Sequence, residues 1–376
     1  MIQHFKLIKQ RLEARGYSNI QYLPSRRSIA IGKEVYVFRS FFYKKESCLF
    51  HSTLFYDMYH YIFKHRHPDI YDMYDIFFVN KYVAEKELLR LFDSEEIKAL
   101  VRDGIIEKKS ATYRFLFRFI PFEKLFMVGK SDIKDPQYAH INYDSVTFIE
   151  FLRKIGIEHR RYKRSIEIGC GAGLVSSEIA KVSEAVDSVD INTYALQIMK
   201  INADLNVLKN ITPYYSDCYE NVDGMFDLII SDPPFEIMPE NDKSIFHRYG
   251  GKLGMEVALK IIEGFDKHLE SGGEAIVFTN SYITNSNKNT LVSAINDMLK
   301  DSKFRITFHT LSYHINPDFY KTYRECNVAY SIAYIIRFTR SNIFEINIIP
   351  LSLLGQIRES IRVAYLYVIS TIKNAF

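Results

Sequence analysis

The chain has 376 residues, enough for two hydrophobic cores, and its 47% hydrophobic and 25% charged residues are the balance of an ordinary globular protein. Its net charge is only +4, yet residues 1–130 carry 23 Lys and Arg against 15 Asp and Glu. Such an asymmetry is compatible with a half that meets a polyanion, and equally with an incidental surface bias.

Several protein classes are excluded by simple patterns. The first residues read as a charged amphipathic helix rather than a signal peptide, and no apolar run reaches the length of a membrane span. The four cysteines lack the spacing of a zinc site or a disulfide framework. We therefore expect a cytoplasmic protein without a metal site or a membrane span.

The N-terminal region, residues 1–130, is predicted to be an α+β domain. It opens with a helix over about 2–15, followed by short strands around 29–42 and an aromatic-rich helix over about 53–64. From residue 81 the pattern becomes two short helices, the second capped at Asp93, and then two strand-like runs. This order is typical of a winged-helix segment.

A winged-helix segment leaves two partners open. It is often a nucleic-acid binder, which the basic charge favours, and it is also a common module for protein–protein contacts or for dimerisation. The aromatic residues of the preceding helix either line a substrate cavity or belong to a core: Phe55, Tyr56, Tyr59 and Tyr61.

Residues 131–155 read as a linker and a helix, and residues 156–345 alternate strands with helices. That alternation predicts an α/β, doubly wound, seven-stranded and mostly parallel Rossmann-like sheet. The last two strands lack a helix between them, so one is expected to be antiparallel. The remainder, residues 346–376, is predicted to be a C-terminal helical extension that packs on the N-terminal domain or on a second subunit.

A glycine-rich loop follows the first predicted strand of this sheet, in the sequence Glu-Ile-Gly-Cys-Gly-Ala-Gly over 167–173. Glycines let the backbone turn tightly and approach a ligand closely, but nucleotide folds share this pattern. The carboxylate of Glu167 distinguishes them, because it would repel a pyrophosphate and suits the cationic amino group of a methionine moiety.

Acidic residues also end the next two predicted strands. Asp190 is placed to accept hydrogen bonds from both hydroxyls of a ribose, and Asp217 lies where a side chain could hold an adenine ring. Together with the loop they predict an S-adenosylmethionine site. The expected cofactor-binding residues are Glu167, Gly169, Cys170, Gly171, Gly173, Asp190, Ile191, Asp217 and Cys218.

The fourth predicted strand ends in a tetrapeptide that suits methyl transfer to nitrogen. Its members, which are the expected catalytic residues, are Asp232, Pro233, Pro234 and Phe235. The Asp232 side chain and the Pro233 carbonyl could accept the two hydrogens of an amine and aim its lone pair at the methyl group. Two prolines stiffen the turn, and Phe235 offers a flat face to a planar amide or base. The following residues, 237–252, read as a flap or a surface loop in which His247, Arg248 and Tyr249 could contact a substrate.

With these motifs the chain resembles the class I methyltransferases of the small domain group, over roughly residues 140–340. That group includes release-factor glutamine methyltransferases and ribosomal RNA guanine amine methyltransferases. The resemblance extends to the helix after Asp190, with Asn202 and Asn206 in the matching pattern, and it implies S-adenosylmethionine as the cofactor. The tetrapeptide departs from the group's usual form, because Asp and Phe replace Asn and Tyr.

The departure favours a nucleobase over a glutamine as the methyl acceptor. The basic run 159–164, just before the first strand, could contact phosphates while a base is turned out into the pocket, or could simply be a solvated helix end. N-methylation of a small metabolite or peptide, or of a protein glutamine amide, stays open. So does a scaffold or regulator that binds the cofactor without turnover.

Overall fold

The computed structural model describes residues 1–18, 61, 64–130, 138–141, 143–238, 247–251, 253–314 and 320–351. The chain divides into two compact units. Unit 1 comprises Met1–Tyr143, Gly171–Leu174 and Gln197–Lys209, and unit 2 comprises Asp144–Cys170, Val175–Leu196 and Asn210–Phe376. The strands predicted around 29–42, the helix over 53–64 apart from its last residues, and the chain beyond 351 lie outside the described residues.

Unit 1 contains four helices and five strands within its described part. They are α1 Ile2–Glu13, α2 Pro68–Phe77, β1 Val83–Ala84, α3 Glu85–Leu88, α4 Ser94–Arg102, β2 Ile106–Lys109, β3 Thr112–Phe115, β4 Arg118–Phe122 and β5 Leu125–Gly129. Strands β1, β3 and β2 form one antiparallel sheet in that order, and β4 pairs with β5 in a hairpin. The winged-helix interpretation stays a prediction.

Two local features explain how unit 1 is built. The Asp93 side chain accepts the backbone N–H of Glu96 at 2.8 Å, and the Glu96 side chain accepts the Asp93 N–H at 2.9 Å, so α4 begins at a capping box. The core is aromatic: Phe5, Phe77, Phe115 and Phe119 are fully buried. Tyr61 is 63% exposed and so is not a core residue, and its role in a substrate cavity stays a prediction.

Unit 2 contains the large sheet. Its elements are α5 Tyr143–Lys154 (whose first residue belongs to unit 1), β6 Tyr162–Ile168, β7 Ser183–Asp190, β8 Ile211–Tyr215, β9 Phe226–Ser231, α8 Glu256–Glu263, α9 Phe265–His268, β10 Leu269–Thr284, α10 Thr290–Leu299, β11 Phe304–His314, α11 Tyr320–Glu325, β12 Val328–Arg340 and β13 Glu345–Ile349. Two further helices, α6 Leu174–Ile179 and α7 Thr193–Leu205, contain residues of both units.

The sheet has eight strands in the order β13-β11-β12-β10-β9-β6-β7-β8. Five neighbouring pairs are parallel, and β12 is antiparallel to both of its neighbours. The chain leaves β6 towards β7 on one side and later places β9 on the other side. This reversal is a topological switch point, where open α/β sheets bind ligands beyond the carboxyl ends of their strands.

The predicted α/β architecture is confirmed, and three details differ from the prediction. The sheet gains an eighth strand, β13, whose Glu345–Ile349 pair with β11. Residues 346–349 are therefore strand rather than the start of a helical extension. A short helix, α11, lies between β11 and β12, where no helix was predicted. The hydrophobic residues over 346–349 were compatible with either a helix or a strand. Pairing with the edge strand β11 decided the outcome.

No helix in the described part of the chain is long and apolar enough to cross a membrane. Among the same residues there is no group of three or more His, Cys, Asp or Glu side chains that could hold a metal ion.

Candidate active site

Three of the expected site residues lie at the ends of adjacent strands. Ile168 at the end of β6 is in register with Ser231 on β9 and with Val189 on β7. The residues that follow are Gly169, Asp232 and Asp190, so these lie at one edge of three adjacent strands, which are spaced by about 4.8 Å. The Ser231 hydroxyl donates to the Ile168 carbonyl at 2.8 Å and ties the two strand ends together.

The glycine-rich loop over 169–173 has positive φ at all three glycines, +76°, +51° and +79°. A Cβ added at Gly169 or Gly171 would meet nothing within 4 Å, so the loop has open space beside it for a ligand. Gly173 differs, because a Cβ there would lie 1.6 Å from the Sδ of Met199. Gly173 therefore packs closely against Met199 of α7, and its contact with the cofactor stays a prediction.

Glu167 is 3% exposed and faces α6 rather than solvent. Its Oε2 accepts the backbone N–H of Ser176 at 2.6 Å and also the Ser176 hydroxyl. Burial, together with the negative charge of the nearby Asp190, raises the pKa of Glu167 to about 8. The carboxyl group thus holds the beginning of α6, and Ser176 is a partner that the sequence pattern did not identify. A contact between Glu167 and the ammonium group of the cofactor stays a prediction.

Asp190 ends β7 and is partly exposed, and its Oδ1 accepts the backbone N–H of Asn192 at 2.8 Å. Ile191 beside it is 49% exposed, which is unusual for a large apolar side chain next to a sheet. A carboxylate next to an exposed apolar surface is a suitable arrangement for a ribose and a flat base.

After β8, the Asp217 carboxylate forms an ion pair with Lys260 of α8 at 2.9 Å. A contact between Asp217 and an adenine ring stays a prediction. Cys218 has a positive φ of +50° and is 5% exposed, and burial raises the pKa of its thiol to about 12. Burial also raises the pKa of Cys170. Both thiols are therefore neutral packing groups at physiological pH.

The tetrapeptide over 232–235 is held by a tyrosine that sequence reasoning missed. Tyr282 near the end of β10 is 1% exposed, and its hydroxyl donates to the Phe235 carbonyl at 2.9 Å while accepting the Ile237 N–H at 3.1 Å. Pro233 is buried, and the ring centroids of Phe235 and Phe278 are 5.9 Å apart. No sequence motif identified Tyr282, because it lies 47 residues along the chain from Phe235 and approaches it only through the path of strand β10.

Two glycines allow the chain to fold against the tetrapeptide. A Cβ at Gly250 would lie 2.6 Å from the Phe235 Cα and 2.7 Å from the Pro234 carbonyl, and a Cβ at Gly254 would collide with the Tyr282 ring at 2.4 Å. The side chain of Arg248 forms an ion pair with Glu236 at 2.5 Å.

The described ends of the predicted flap are consequently fixed against the tetrapeptide, whereas residues 239–246 and 252 lie outside the described part. Burial lowers the pKa of His247 to about 4, so this side chain is neutral at physiological pH.

The basic run 159–164 lies at the opposite end of β6 from the glycine-rich loop. Seven residues of strand separate the two ends, a span of about 20 Å. Arg160 pairs with the buried Glu274, and Arg164 pairs with Asp187 at 2.6 Å. Each of these two arginines thus has a carboxylate partner within the fold, and phosphate contacts by the basic run stay a prediction. The sequence of the basic run did not show that these arginines pair with carboxylates on the strands β10 and β7.

The fold is a Rossmann-like α/β sheet, and three of the predicted site residues lie at one edge of it. Residues 138–308 match the family described as methyltransferase small domain. The predicted resemblance is confirmed for this part of the chain.

Among curated relatives, a protein of Methanocaldococcus jannaschii described as a protein N5-glutamine methyltransferase is 38% identical over 124 residues, which is 32% of this chain and 62% of the relative. Ribosomal RNA small subunit methyltransferase C of Erwinia tasmaniensis is 30% identical over 120 residues, 31% of each chain. The chain thus spans less than two thirds of both relatives.

Among solved structures, the T. thermophilus 16S rRNA methyltransferase in complex with AdoMet and guanosine is 17% identical, with a TM-score of 0.39, covering 68% of this chain and 62% of the other.

Proposed function

We propose that the protein is an S-adenosylmethionine-dependent methyltransferase that acts on a planar nitrogen, with the exocyclic amine of a nucleobase as the leading acceptor. The observation that carries this proposal is the register of β6 with β9, which puts Gly169 and Asp232 on neighbouring strand ends. A donor bound at the loop and an acceptor held at the tetrapeptide would be adjacent, as in-line transfer needs.

The residues present fit S-adenosylmethionine. The open space beside Gly169 and Gly171 admits a ligand to the loop backbone. Asp190 offers a carboxylate to the ribose hydroxyls, and the exposed Ile191 offers an apolar surface to the adenine. The neutral Cys218 adds no charge to this surface. When bound, the cofactor supplies a sulfonium methyl group, which is an electrophile without any metal.

The chain's own groups orient the acceptor. Asp232 and the carbonyl of Pro233 accept the two N–H hydrogens of a planar amine, which aims the nitrogen lone pair along the strand edge. The lone pair forms the new N–C bond as the C–S bond breaks and its electrons stay on sulfur. The proton then leaves the nitrogen for Asp232 or for solvent. Tyr282 fixes the Phe235 backbone, so the aromatic face stays beside the acceptor.

The second candidate is an amide acceptor in a protein, or an amine of a small metabolite or peptide. It is favoured by the ion pairing on α4, the helix that a winged-helix nucleic-acid binder would use. There Lys98 pairs with Glu95 at 2.7 Å, and Arg102 pairs with Asp103 at 2.9 Å. Exposed pairs of this kind leave little net positive charge for phosphates.

The experiment is transfer of radiolabelled methyl from S-adenosylmethionine into an extract of the source cells, separated into nucleic acid, protein and small molecules. The wild-type protein is compared with Asp232→Ala and with Asp232→Asn, which keeps a side-chain oxygen that can accept a hydrogen bond. We expect label in nucleic acid, reduced about 100-fold or more by Asp232→Ala and less by Asp232→Asn. Label confined to protein or small molecules would replace the leading acceptor by the second candidate. No Asp232-dependent label in any fraction would contradict methyl transfer itself.

A further inference from the structure

Asn202, in the last turns of α7, makes three hydrogen bonds from a fully buried position. Its Oδ1 accepts the backbone N–H of Val128 at 2.7 Å, and its Nδ2 donates to the Val128 carbonyl at 2.8 Å. The same Nδ2 donates to the carbonyl of Ala172 at 2.8 Å. All three residues belong to unit 1, so one amide joins strand β5 to the glycine-rich loop.

Asn206, one helical turn later, repeats the first part of this pattern. Its Oδ1 accepts the Phe126 N–H at 2.8 Å, and its Nδ2 donates to the Phe126 carbonyl at 3.0 Å. The four residues of helix from Asn202 to Asn206 advance by about 6 Å and two residues of strand by about 6.6 Å, so the two amides match alternate residues of β5. Along Phe126 and Val128, where the described part of the chain places no strand on this side, the two amides take the role of a neighbouring strand, and Lys130, just beyond β5, pairs with Ala139.

The hairpin itself makes that edge available. Pro121 on β4 is paired with Phe126 on β5, and a proline has no N–H to donate across the pair. The backbone groups of Phe126 therefore point away from β4, and those of Val128, two residues later, point the same way. Without the asparagines these buried groups would have no partner on this side.

The bond from Asn202 to Ala172 distinguishes the two asparagines. Ala172 is 2% exposed and lies between Gly171 and Gly173, in the loop proposed to approach the cofactor. The neighbouring Gly173 packs on Met199 of the same helix. Helix α7 therefore fixes the second half of the loop by one hydrogen bond and one close contact, while its other contacts on this side hold β5.

We propose that Asn202 is a positioning residue for S-adenosylmethionine and that strand β5, although it belongs to the N-terminal region, is part of the support of the cofactor loop. The inference rests on the proposed function, because it assumes that the loop binds this cofactor. Asn202 fixes the Ala172 carbonyl and thereby the path of the loop backbone, without touching the ligand. Asn206 does not reach the loop: besides Phe126 it bonds the Met127 sulfur at 3.6 Å and the Asn202 carbonyl at 2.8 Å.

The test compares Asn202→Ala with the matched control Asn206→Ala, in the full-length protein. Each substitution removes both bonds to one residue of β5, and only Asn202→Ala also removes the bond to the loop. Calorimetric titration with S-adenosylmethionine and with S-adenosylhomocysteine gives the Kd values. We expect Asn202→Ala to weaken both ligands about tenfold or more, and Asn206→Ala to stay within about threefold of the wild type.

Thermal unfolding of each apo protein separates loss of stability from loss of binding. If Asn202→Ala does not fold, Asn202→Thr takes its place with Asn206→Thr as its control, since threonine is neutral, has nearly the volume of asparagine and is too short to bond both Val128 and Ala172. Equal Kd changes in the two asparagine positions, or none, would overturn the positioning role even where both lower the Tm. A wild-type protein that fails to bind either ligand would instead refute the proposed function, and the inference with it.

Discussion

The Oε2 atom of Glu167 accepts a hydrogen bond from the backbone N–H of Ser176 at 2.6 Å, in the interior of the fold rather than at its surface. The first residue of the loop signature is thus joined to the helix that the loop enters. Because only Ser176 is observed to offset its burial by hydrogen bonding, the pKa of Glu167 is raised from its ordinary value of 4.5 to about 8.

This raised pKa predicts how stability depends on pH. The folded state favours the protonated carboxyl, so the contribution is fully present below pH 4.5 and is lost as pH rises through about 8. Glu167→Gln is neutral throughout and should escape this loss. The difference in unfolding free energy between the variant and the wild type should rise with pH by at most about 1.4 kcal/mol per pH unit in this window.

Urea unfolding of the ligand-free proteins at pH 5, 7 and 9 checks this difference. The exposed Glu263→Gln on α8 is the control, because it makes the same chemical change at the surface. Parallel curves for the wild type and Glu167→Gln would show that Glu167 is ionised across the range.

Asp190 is predicted to be a major determinant of cofactor affinity. Asp190→Ala removes the carboxylate that is placed to accept two ribose hydroxyl hydrogens, and bonds to charged groups are among the strongest in proteins. We expect the Kd for S-adenosylmethionine to rise about 100-fold. Calorimetric titration measures it, with the exposed Asp204→Ala on α7 as the control. A Kd within about threefold of the wild type would remove Asp190 from the site.

Tyr282 is predicted to act on turnover and not on cofactor binding. Tyr282→Phe loses the bonds to the Phe235 carbonyl and the Ile237 N–H, which loosens the tetrapeptide at the acceptor position. We expect kcat to fall about tenfold with an unchanged Kd for S-adenosylmethionine. Methyl transfer to the acceptor found by fractionation is the measurement.

The matched control is Tyr334→Phe on β12. Tyr334 is equally buried, and its hydroxyl accepts a hydrogen bond from Asn289 at 3.1 Å, far along the chain from the tetrapeptide. The Tyr334→Phe substitution should lower the free energy of unfolding with little effect on kcat. Similar kcat values for the two variants would mean that Tyr282 is a core residue only.

Gly250 is predicted to be essential for the shape of the acceptor side. Gly250→Ala places a Cβ within 2.7 Å of backbone atoms of Phe235, Pro234 and Gly254, and backbone atoms cannot rotate away. We expect the tetrapeptide to shift and methyl transfer to fall about 100-fold or more, since displacements near 1 Å have such effects.

The comparison for Gly250 is Gly272→Ala, where a Cβ meets nothing within 4 Å although φ is +85°. That change carries the backbone strain of a lost glycine without the collision, so it should lower the Tm slightly and leave the rate intact. An active Gly250→Ala protein would show that the turn after the tetrapeptide is free to move.

Local residue patterns determined much of this molecule. Strand–helix alternation predicted the parallel sheet, and three motifs at strand ends predicted a single edge with Gly169, Asp190 and Asp232 together. Each of these features depends on residues close in sequence, or on the rule that parallel strands end on one side. The capped helix at Asp93 belongs to the same group, because a capping box is complete within four residues.

Only the tertiary structure decided which polar groups meet across the chain. Tyr282 reaches Phe235, Arg160 reaches Glu274, and Asn202 reaches both Val128 and Ala172, over separations of 30 to 114 residues. Such partners depend on strand order and on burial, since a buried donor must find whichever acceptor the fold brings to it. The amino-acid sequence by itself thus determined the class of fold and predicted the position of the site, and the packing of distant elements determined which groups surround the predicted site residues.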